Sequence, residues 1–334
     1  MTGIGDRGRT DGTGGTGGTG GTGGTGGTLI IGSGFIGTAL ARRLAASGTA
    51  VTLASRGRPA SDPASYGACW RALDATDPEA CGRLLARLRP RGVVLVHGPS
   101  DVTWCEAHPG EAARAHAAVA DNVAALALGA RILLISTDNV FDGTAPGATE
   151  STPVSPANAY GRAKRGAERI LSATAADAVA LRVSLVYGHE PADAGKWLNF
   201  FAACAHRLLR GEEVRAPCDH WTTPVTVDDV ARVAAAVLTA PGPLPPVLHL
   251  GGPDRVTRAE WAGVVADALG APRRLVVPVP KALTRYASRP ENACLASELL
   301  HQVLAPEVAA LQGIEAGARS LAPAFLREVS RAAP

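Results

Sequence analysis

Leu29-Ile30-Ile31-Gly32-Ser33-Gly34-Phe35-Ile36-Gly37 decides how this 334-residue chain is read. Three apolar residues make a short buried strand, a glycine-rich turn follows at once, and residues 35–46 then carry apolar side chains at helical spacing. In that context each glycine of a G-x-G-x-x-G string has work to do. Gly32 permits the tight turn, Gly34 leaves room for a pyrophosphate beside the backbone, and Gly37 lets helix and strand pack closely. Phe35 and Ile36 open the helix, whose N-terminus turns N–H groups and positive dipole toward phosphate. The stretch predicts a dinucleotide-binding strand, turn and helix.

Working outward, short apolar runs at 51–54, 93–96, 132–135 and 179–186 read as buried strands, and a further strand is expected to end at Asp74. Between them 78–88, 110–128 and 158–171 read as helices. Strict alternation of strand and helix implies an α/β fold: a Rossmann-type, doubly wound parallel sheet, here with a smaller C-terminal lobe. The expected division is a dinucleotide domain at 28–188, to which 222–251 returns, and a substrate-binding lobe at 189–330. Residues 1–27 end in a Gly-Gly-Thr repeat that has no apolar surface to bury, and they are expected to form a disordered tail.

Hydrophobic residues make up 46% and charged residues 19%, with no apolar run near the roughly 20 residues that span a bilayer. This points to a soluble, cytoplasmic protein with no membrane partner. The 33 basic and 30 acidic residues are scattered, so no basic stripe suggests nucleic acid. The six cysteines form no C-x-x-C pair and have no companion histidines, and read as reduced thiols with no metal site.

Where an NAD-selective sheet ends its second strand in an acid for the ribose hydroxyls, this chain runs into Ser55-Arg56. A hydroxyl and a guanidinium suit a 2′-phosphate, which makes NADP(H) the preferred cofactor and NAD(H) the alternative. The competing view of Arg56 is an ordinary surface side chain. Asp74 is either an adenine contact or the N-cap of the helix near Pro78. His97-Gly98 after the fourth strand either borders the nicotinamide ribose or supplies a plain structural histidine.

The fifth strand ends at Ser136-Thr137-Asp138, and the next helix carries Tyr160 and Lys164 four residues apart, hence on one face. The chain has four tyrosines and three lysines, so this pairing downstream of a nucleotide fold is informative. A phenol is a weak acid-base catalyst at neutral pH, and a neighbouring ammonium and a cationic nicotinamide both favour its phenolate. Thr137 can hydrogen-bond the same substrate oxygen. Thr137, Tyr160 and Lys164 are the candidate catalytic residues, and Tyr160 and Lys164 also border the cofactor.

These residues sit in a longer pattern. Ile135-Ser136-Thr137-Asp138-Asn139-Val140-Phe141-Asp142-Gly143, Asn158-Ala159-Tyr160-Gly161-Arg162-Ala163-Lys164, Leu181-Arg182-Val183-Ser184-Leu185-Val186-Tyr187-Gly188, Asn199-Phe200, Asp219-His220, Val227-Asp228-Asp229 and Ser288-Arg289-Pro290-Glu291-Asn292 occur in order. The chain from Leu29 to about Leu300 resembles the extended short-chain dehydrogenase/reductases, and within them the dTDP-4-dehydrorhamnose reductase group. That resemblance implies NADP(H) or NAD(H) on the Rossmann domain and a nucleotide-linked sugar, reduced at a 4-keto group, held by the lobe. Asp138, Asn199 and Arg289 are the substrate contacts it suggests, and a homodimer is a permitted assembly.

There are departures. Ile31 stands where many extended members have another glycine, Leu185 where the reductases show Trp, and Ala296 where they show Asp. Around Arg114, where the family has an Asn that supports the lysine through water, none stands in register; Asn122 is nearest and out of phase. Two other readings stay open: an epimerase or dehydratase on the same fold, and a non-catalytic dinucleotide-binding subunit. The first lacks an Asp-Glu pair at Asp138-Asn139, and the second does not require an ionisable phenol at Tyr160.

Overall fold

A computed structural model describes residues 26–194 and 197–332. Residues 1–25, nearly all of the Gly/Thr tail, lie outside the described residues. Among those described, seven strands form one parallel sheet. Six are β1 (Thr28–Ile31), β2 (Val51–Ser55), β3 (Cys69–Ala72), β4 (Gly92–Leu95), β5 (Arg131–Thr137) and β6 (Ala178–Val183); the seventh is Val247–Leu250. Across the sheet the order is Val247–Leu250, β6, β5, β4, β1, β2, β3, so the strand order reverses between β1 and β4. This is the Rossmann-type α/β fold, and the crevice beyond the carboxyl ends of β1 and β4 is where such sheets take ligands.

Both faces of the sheet are apolar because alternate residues point to opposite sides. Ile30, Leu53, Val94, Leu133 and Ile135 pack under α1 (Phe35–Ala46). Leu29, Ile31, Val93, Leu95, Ile132 and Leu134 face the other way, toward α2 (Pro78–Leu88), α4 (Pro109–Leu126) and α5 (Ala159–Thr174). A short α3 (Val102–Ala107) precedes α4. Beyond β6 come α6 (Phe200–Leu209), α7 (Val227–Thr239), α8 (Arg258–Leu269) and a C-terminal helix, Ile314–Ala332. Val230, Val233 and Val237 of α7 join the core that α1 covers. Tyr187, Phe201, Trp261, Val265 and Phe325 make a separate core among α6, α8 and the C-terminal helix.

Two expected elements differ. The strand expected at 179–186 is broken: it leaves the sheet after Val183, where Ser184 turns its hydroxyl to the Ala293 carbonyl at 2.9 Å, and resumes as the pair Val186–Tyr187 beside Val225–Thr226. The strand expected to end at Asp74 ends earlier, because Cys69–Ala72 pairs with β2 and Asp74 instead caps a turn through Thr76 N at 3.0 Å. No described helix is long and apolar enough to cross a membrane. All six cysteines are free thiols, and among the described residues no group of His, Cys, Asp or Glu is placed to hold a metal.

Candidate active site

A cleft of ≈ 780 Å³ runs over the carboxyl ends of β1, β4 and β5 to the C-terminal part of the chain. At its sheet end, Gly32 has φ +118°, and a Cβ there would stand 2.3 Å from the Val96 carbonyl oxygen. Only glycine fits. Gly34 opens α1 with no side-chain cap and has open space where a Cβ would project, the cradle a pyrophosphate needs. Phe35 and Ile36 line the cleft beside it. Gly37 does not line the cleft; its missing Cβ lets α1 close on the turn, where it would otherwise be 2.1 Å from the Gly32 carbonyl oxygen.

At the end of β2, Ser55 Oγ accepts from Ser33 Oγ (2.8 Å) and Trp70 Nε1 (3.0 Å) and donates to the Gly57 carbonyl (2.7 Å). Its hydrogen is committed to the turn, and Arg56 beside it lies exposed at the cleft edge. Asp74 faces the cleft nearby; its hydrogen bonds from Thr76, and secondarily the Arg56 charge, hold its carboxyl below the usual range. The helix cap of α2 is Asp77, which accepts from Glu79 N and Ala80 N. The alternative role weighed for Asp74 therefore belongs to its neighbour.

Beyond β4, Gly98 (φ +85°) lies against His116 of α4, whose ring a Cβ would meet at 2.3 Å. His97 and His116 are buried with ring centroids 5.3 Å apart. Burial, followed by the nearby Lys164 charge, pushes His97 down to about 3 and His116 to about 2, so both rings are neutral. His97 thus lines the cleft and is a buried structural histidine at once. His116 was not legible as a site residue. It stands two positions after Arg114, where an Asn was sought, and its ring meets that of Tyr160 edge-on at 6.1 Å.

The candidate catalytic residues meet where β5 ends against α5. Thr137 Oγ1 donates to Asp138 Oδ1 (3.1 Å) and accepts from Asn139 N (3.2 Å). Asn158 caps α5 through Gly161 N (2.8 Å) and donates to Asn139 Oδ1 (2.7 Å), tying the helix to the Thr137 turn. Tyr160 faces the cleft within the electrostatic reach of Asp138 and Arg289, and its phenol interacts with Thr137. Lys164 is buried, with Nζ donating to the Ile135 carbonyl at 2.9 Å, and burial brings it down to about 8.

The expectation that the ammonium would favour phenolate is corrected here. Burial, then the charges of Asp138 and Cys105, raise the Tyr160 phenol above its ordinary value. Tyr160 is held as the neutral acid. Burial also raises Asp138.

From the C-terminal part of the chain, Asn199 and Arg289 reach the cleft. Asn199 is largely spent: it caps α6 through Ala202 N (3.1 Å) and donates to the Gly188 carbonyl (3.0 Å) and Glu190 Oε2 (2.9 Å). Three residues with no role in the sequence reading join the lining: His220, Arg258 and Tyr286. Nothing in a sequence where arginines are scattered marks Arg258, and only the fold shows it buried against the cleft.

Residues 27–313 match the model of the RmlD substrate binding domain. A probable low-salt glycan biosynthesis reductase, Agl14, of Haloferax volcanii is 28% identical over 267 residues, covering 79% of this chain and 87% of that protein. Methionine adenosyltransferase 2 subunit beta of Rattus norvegicus is 30% identical over 231 residues, 67% of this chain and 68% of that protein. The dTDP-4-dehydrorhamnose reductase of Bacillus anthracis, solved in complex with NADP, superimposes with a TM-score of 0.73 at 21% identity over 89% of this chain and 98% of that one. With most of its length matched, the chain belongs to the RmlD substrate binding domain family, whose resemblance to the dTDP-4-dehydrorhamnose reductases its motifs carry.

Proposed function

We propose that the protein is an NADP(H)-dependent reductase of a keto group on a nucleotide-activated (deoxy)sugar, like 4-dehydrorhamnose reductase. The observation that carries this reading is a neutral, cleft-facing Tyr160 next to Thr137, in the same cleft as the Gly32–Gly34 cradle. Residues 28–188 with 222–251 would hold the dinucleotide and 189–330 the sugar. The cradle, the uncapped start of α1 and the absence of a carboxylate at the end of β2 fit a dinucleotide with a 2′-phosphate on Arg56. When bound, that cofactor supplies the hydride.

The chain's own residues supply a proton and orientation. Tyr160, protonated at neutral pH, donates to the carbonyl oxygen of the substrate, and the Thr137 hydroxyl turns its hydrogen from Asp138 to the same oxygen. Lys164, one helical turn on, puts a positive charge near the phenolate that remains. The Ile135 carbonyl and the Glu168–Arg182 ion pair at 2.8 Å fix the helix that carries both residues. Asp138 and Arg289 border the sugar.

A purified sample with NADPH and a panel of nucleotide-linked 4-ketosugars tests the reading by absorbance of the reduced cofactor. Net NADPH consumption with one of them is expected. Turnover without net consumption would instead indicate an epimerase or dehydratase. Cofactor binding with no turnover on any ketone would favour a second reading, a regulatory subunit, to which the similarity to methionine adenosyltransferase 2 subunit beta gives weight.

A further inference from the structure

Helix α3 touches both walls of the cleft. At its start Asp101 is the N-cap, with Oδ1 accepting from Thr103 N (2.9 Å) and Trp104 N (3.2 Å). Its other oxygen, Oδ2, faces Nη2 of Arg285 at 3.7 Å, and Thr103 Oγ1 donates to the Arg285 carbonyl at 3.5 Å. The Arg285 guanidinium also lies over the Trp197 ring, 4.0 Å from its centroid. Asp101, Trp197 and Arg285 all line the cleft, so this cluster joins its C-terminal wall to α3.

The other end of α3 meets the helix that carries the candidate acid. Glu106 Oε1 accepts from Ala159 N, the first N–H of α5, on the residue before Tyr160. An N–H at that position has no partner within its own helix. Asn158 caps α5 through Gly161 N, so the Glu106 carboxylate meets a need the cap leaves open. Glu106 also faces Arg162 at 3.9 Å. Between the two ends, Cys105 packs with Ala112, Ala159 and Ala163 in a small core against which Tyr160 lies. With six residues α3 makes about 1.7 turns, which leaves little length in which a shift at one end is absorbed before the other.

We propose that α3 is a positioning element for Tyr160: Arg285, acting through Asp101, and Glu106, acting through Ala159, couple the C-terminal wall of the cleft to the setting of the phenol. The proposal rests on the reductase reading for its effect on rate, and its structural half is tested without turnover. The Asp101–Arg285 pair is partly exposed, and such pairs add little to stability. Its loss should therefore be read at Tyr160 rather than in the melting temperature. Contacts in a row become coupling only when changes at the two ends fail to add, which a double-mutant cycle measures.

Asp101→Asn keeps the α3 cap, since Asn caps about as well as Asp, and removes the charge that holds Arg285. Glu106→Ala removes the acceptor for Ala159 N, and Glu106→Gln restores it. In hydrogen exchange of the full-length, ketone-free protein, residues 159–162 should exchange about tenfold faster in Glu106→Ala, near the wild-type rate in Glu106→Gln, and about threefold faster in Asp101→Asn, with 166–174 unchanged in all three. In single-turnover NADPH oxidation at saturating ketone, Glu106→Ala should be on the order of 10²-fold slower and Asp101→Asn about 3- to 10-fold slower, both at wild-type NADPH affinity. The double variant should be no slower than Glu106→Ala, because the link is already cut. Rate effects that multiply, or wild-type exchange at 159–162 in Asp101→Asn, overturn the proposal. Should Glu106→Ala fail to give a cooperative melting transition, the exchange of Asp101→Asn against wild type decides alone. The expected exchange pattern in a protein that oxidises NADPH with no ketone would leave the coupling standing and count against the reductase reading.

Discussion

Gly161→Ala should separate the candidate catalytic groups without touching one of them. Gly161 follows Tyr160 in the first turn of α5, and a Cβ built there lies 1.9 Å from the Asn139 carbonyl oxygen, 2.7 Å from its carbon and 3.2 Å from Pro156 Cβ. Ordinary contact begins at 3.4 Å, so backbone must separate from backbone by about 1.5 Å (3.4 less 1.9). The opposing oxygen belongs to the turn that follows Thr137, and the Asn158–Asn139 hydrogen bond of 2.7 Å ties the same two elements. Both have to give. A misplacement of about 1 Å can cost on the order of 10²-fold in rate, so NADPH oxidation should fall by at least that much, with a loss of about 1–3 kcal/mol in stability from overpacking. Gly166→Ala is the control on the same helix: a Cβ there meets nothing within 4 Å, and the change should add up to about 1 kcal/mol of helix stability. Chemical denaturation and steady-state kinetics of both variants make the comparison. Wild-type rate and stability in Gly161→Ala would refute the close contact.

Cofactor choice rests on Arg56, since the Ser55 hydroxyl is committed: Arg56→Ala should weaken NADPH binding about 10- to 100-fold and leave NADH nearly unchanged, by fluorescence titration. Equal affinities for the two cofactors in wild type would make Arg56 an ordinary solvated side chain. Lys164, brought down to about 8, is a cation below that pH, so ketone reduction should be level up to about pH 8 and fall tenfold per unit above it. A flat profile to pH 9.5 would exclude Lys164 in that role. His97 and His116, at about 3 and 2, bind protons in the unfolded chain below about pH 6.5 but not in the folded one. Their contribution is intact above 6.5 and is lost as pH falls, at about 1.4 kcal/mol per unit for each histidine. His116→Asn should flatten the acid limb of stability, measured by urea denaturation at pH 7.5, 6 and 5, by about one proton; an unchanged slope would contradict its burial as a neutral ring.

The glycine turn, the α1 and α2 limits at Phe35–Ala46 and Pro78–Leu88, and the meeting of Thr137 with Tyr160 were legible because local signals decide them. Glycines fix the turn, period and Pro caps fix the helices, and strand ends in a parallel sheet share one crevice. The third strand was misplaced because Cys69–Ala72 is an edge strand with mostly exposed side chains, which leaves no apolar run to find. His116 escaped notice because a motif's position along a helix does not fix which side chain faces the neighbouring ring. Arg258 was invisible for a different reason, and His220, though it stands in the Asp219-His220 string, was given no role for the same one. Both are buried against the cleft, and only tertiary packing shows that.

Tyr160→Phe tests the central claim most directly, since it keeps the ring and removes the proton. Single-turnover oxidation of bound NADPH by the best ketone from the panel, wild type against variant, is the measurement. The variant should bind NADPH as wild type does and oxidise it about 10²- to 10⁴-fold more slowly. Hydride transfer at the wild-type rate in Tyr160→Phe would contradict the assignment of Tyr160 as the acid that completes carbonyl reduction.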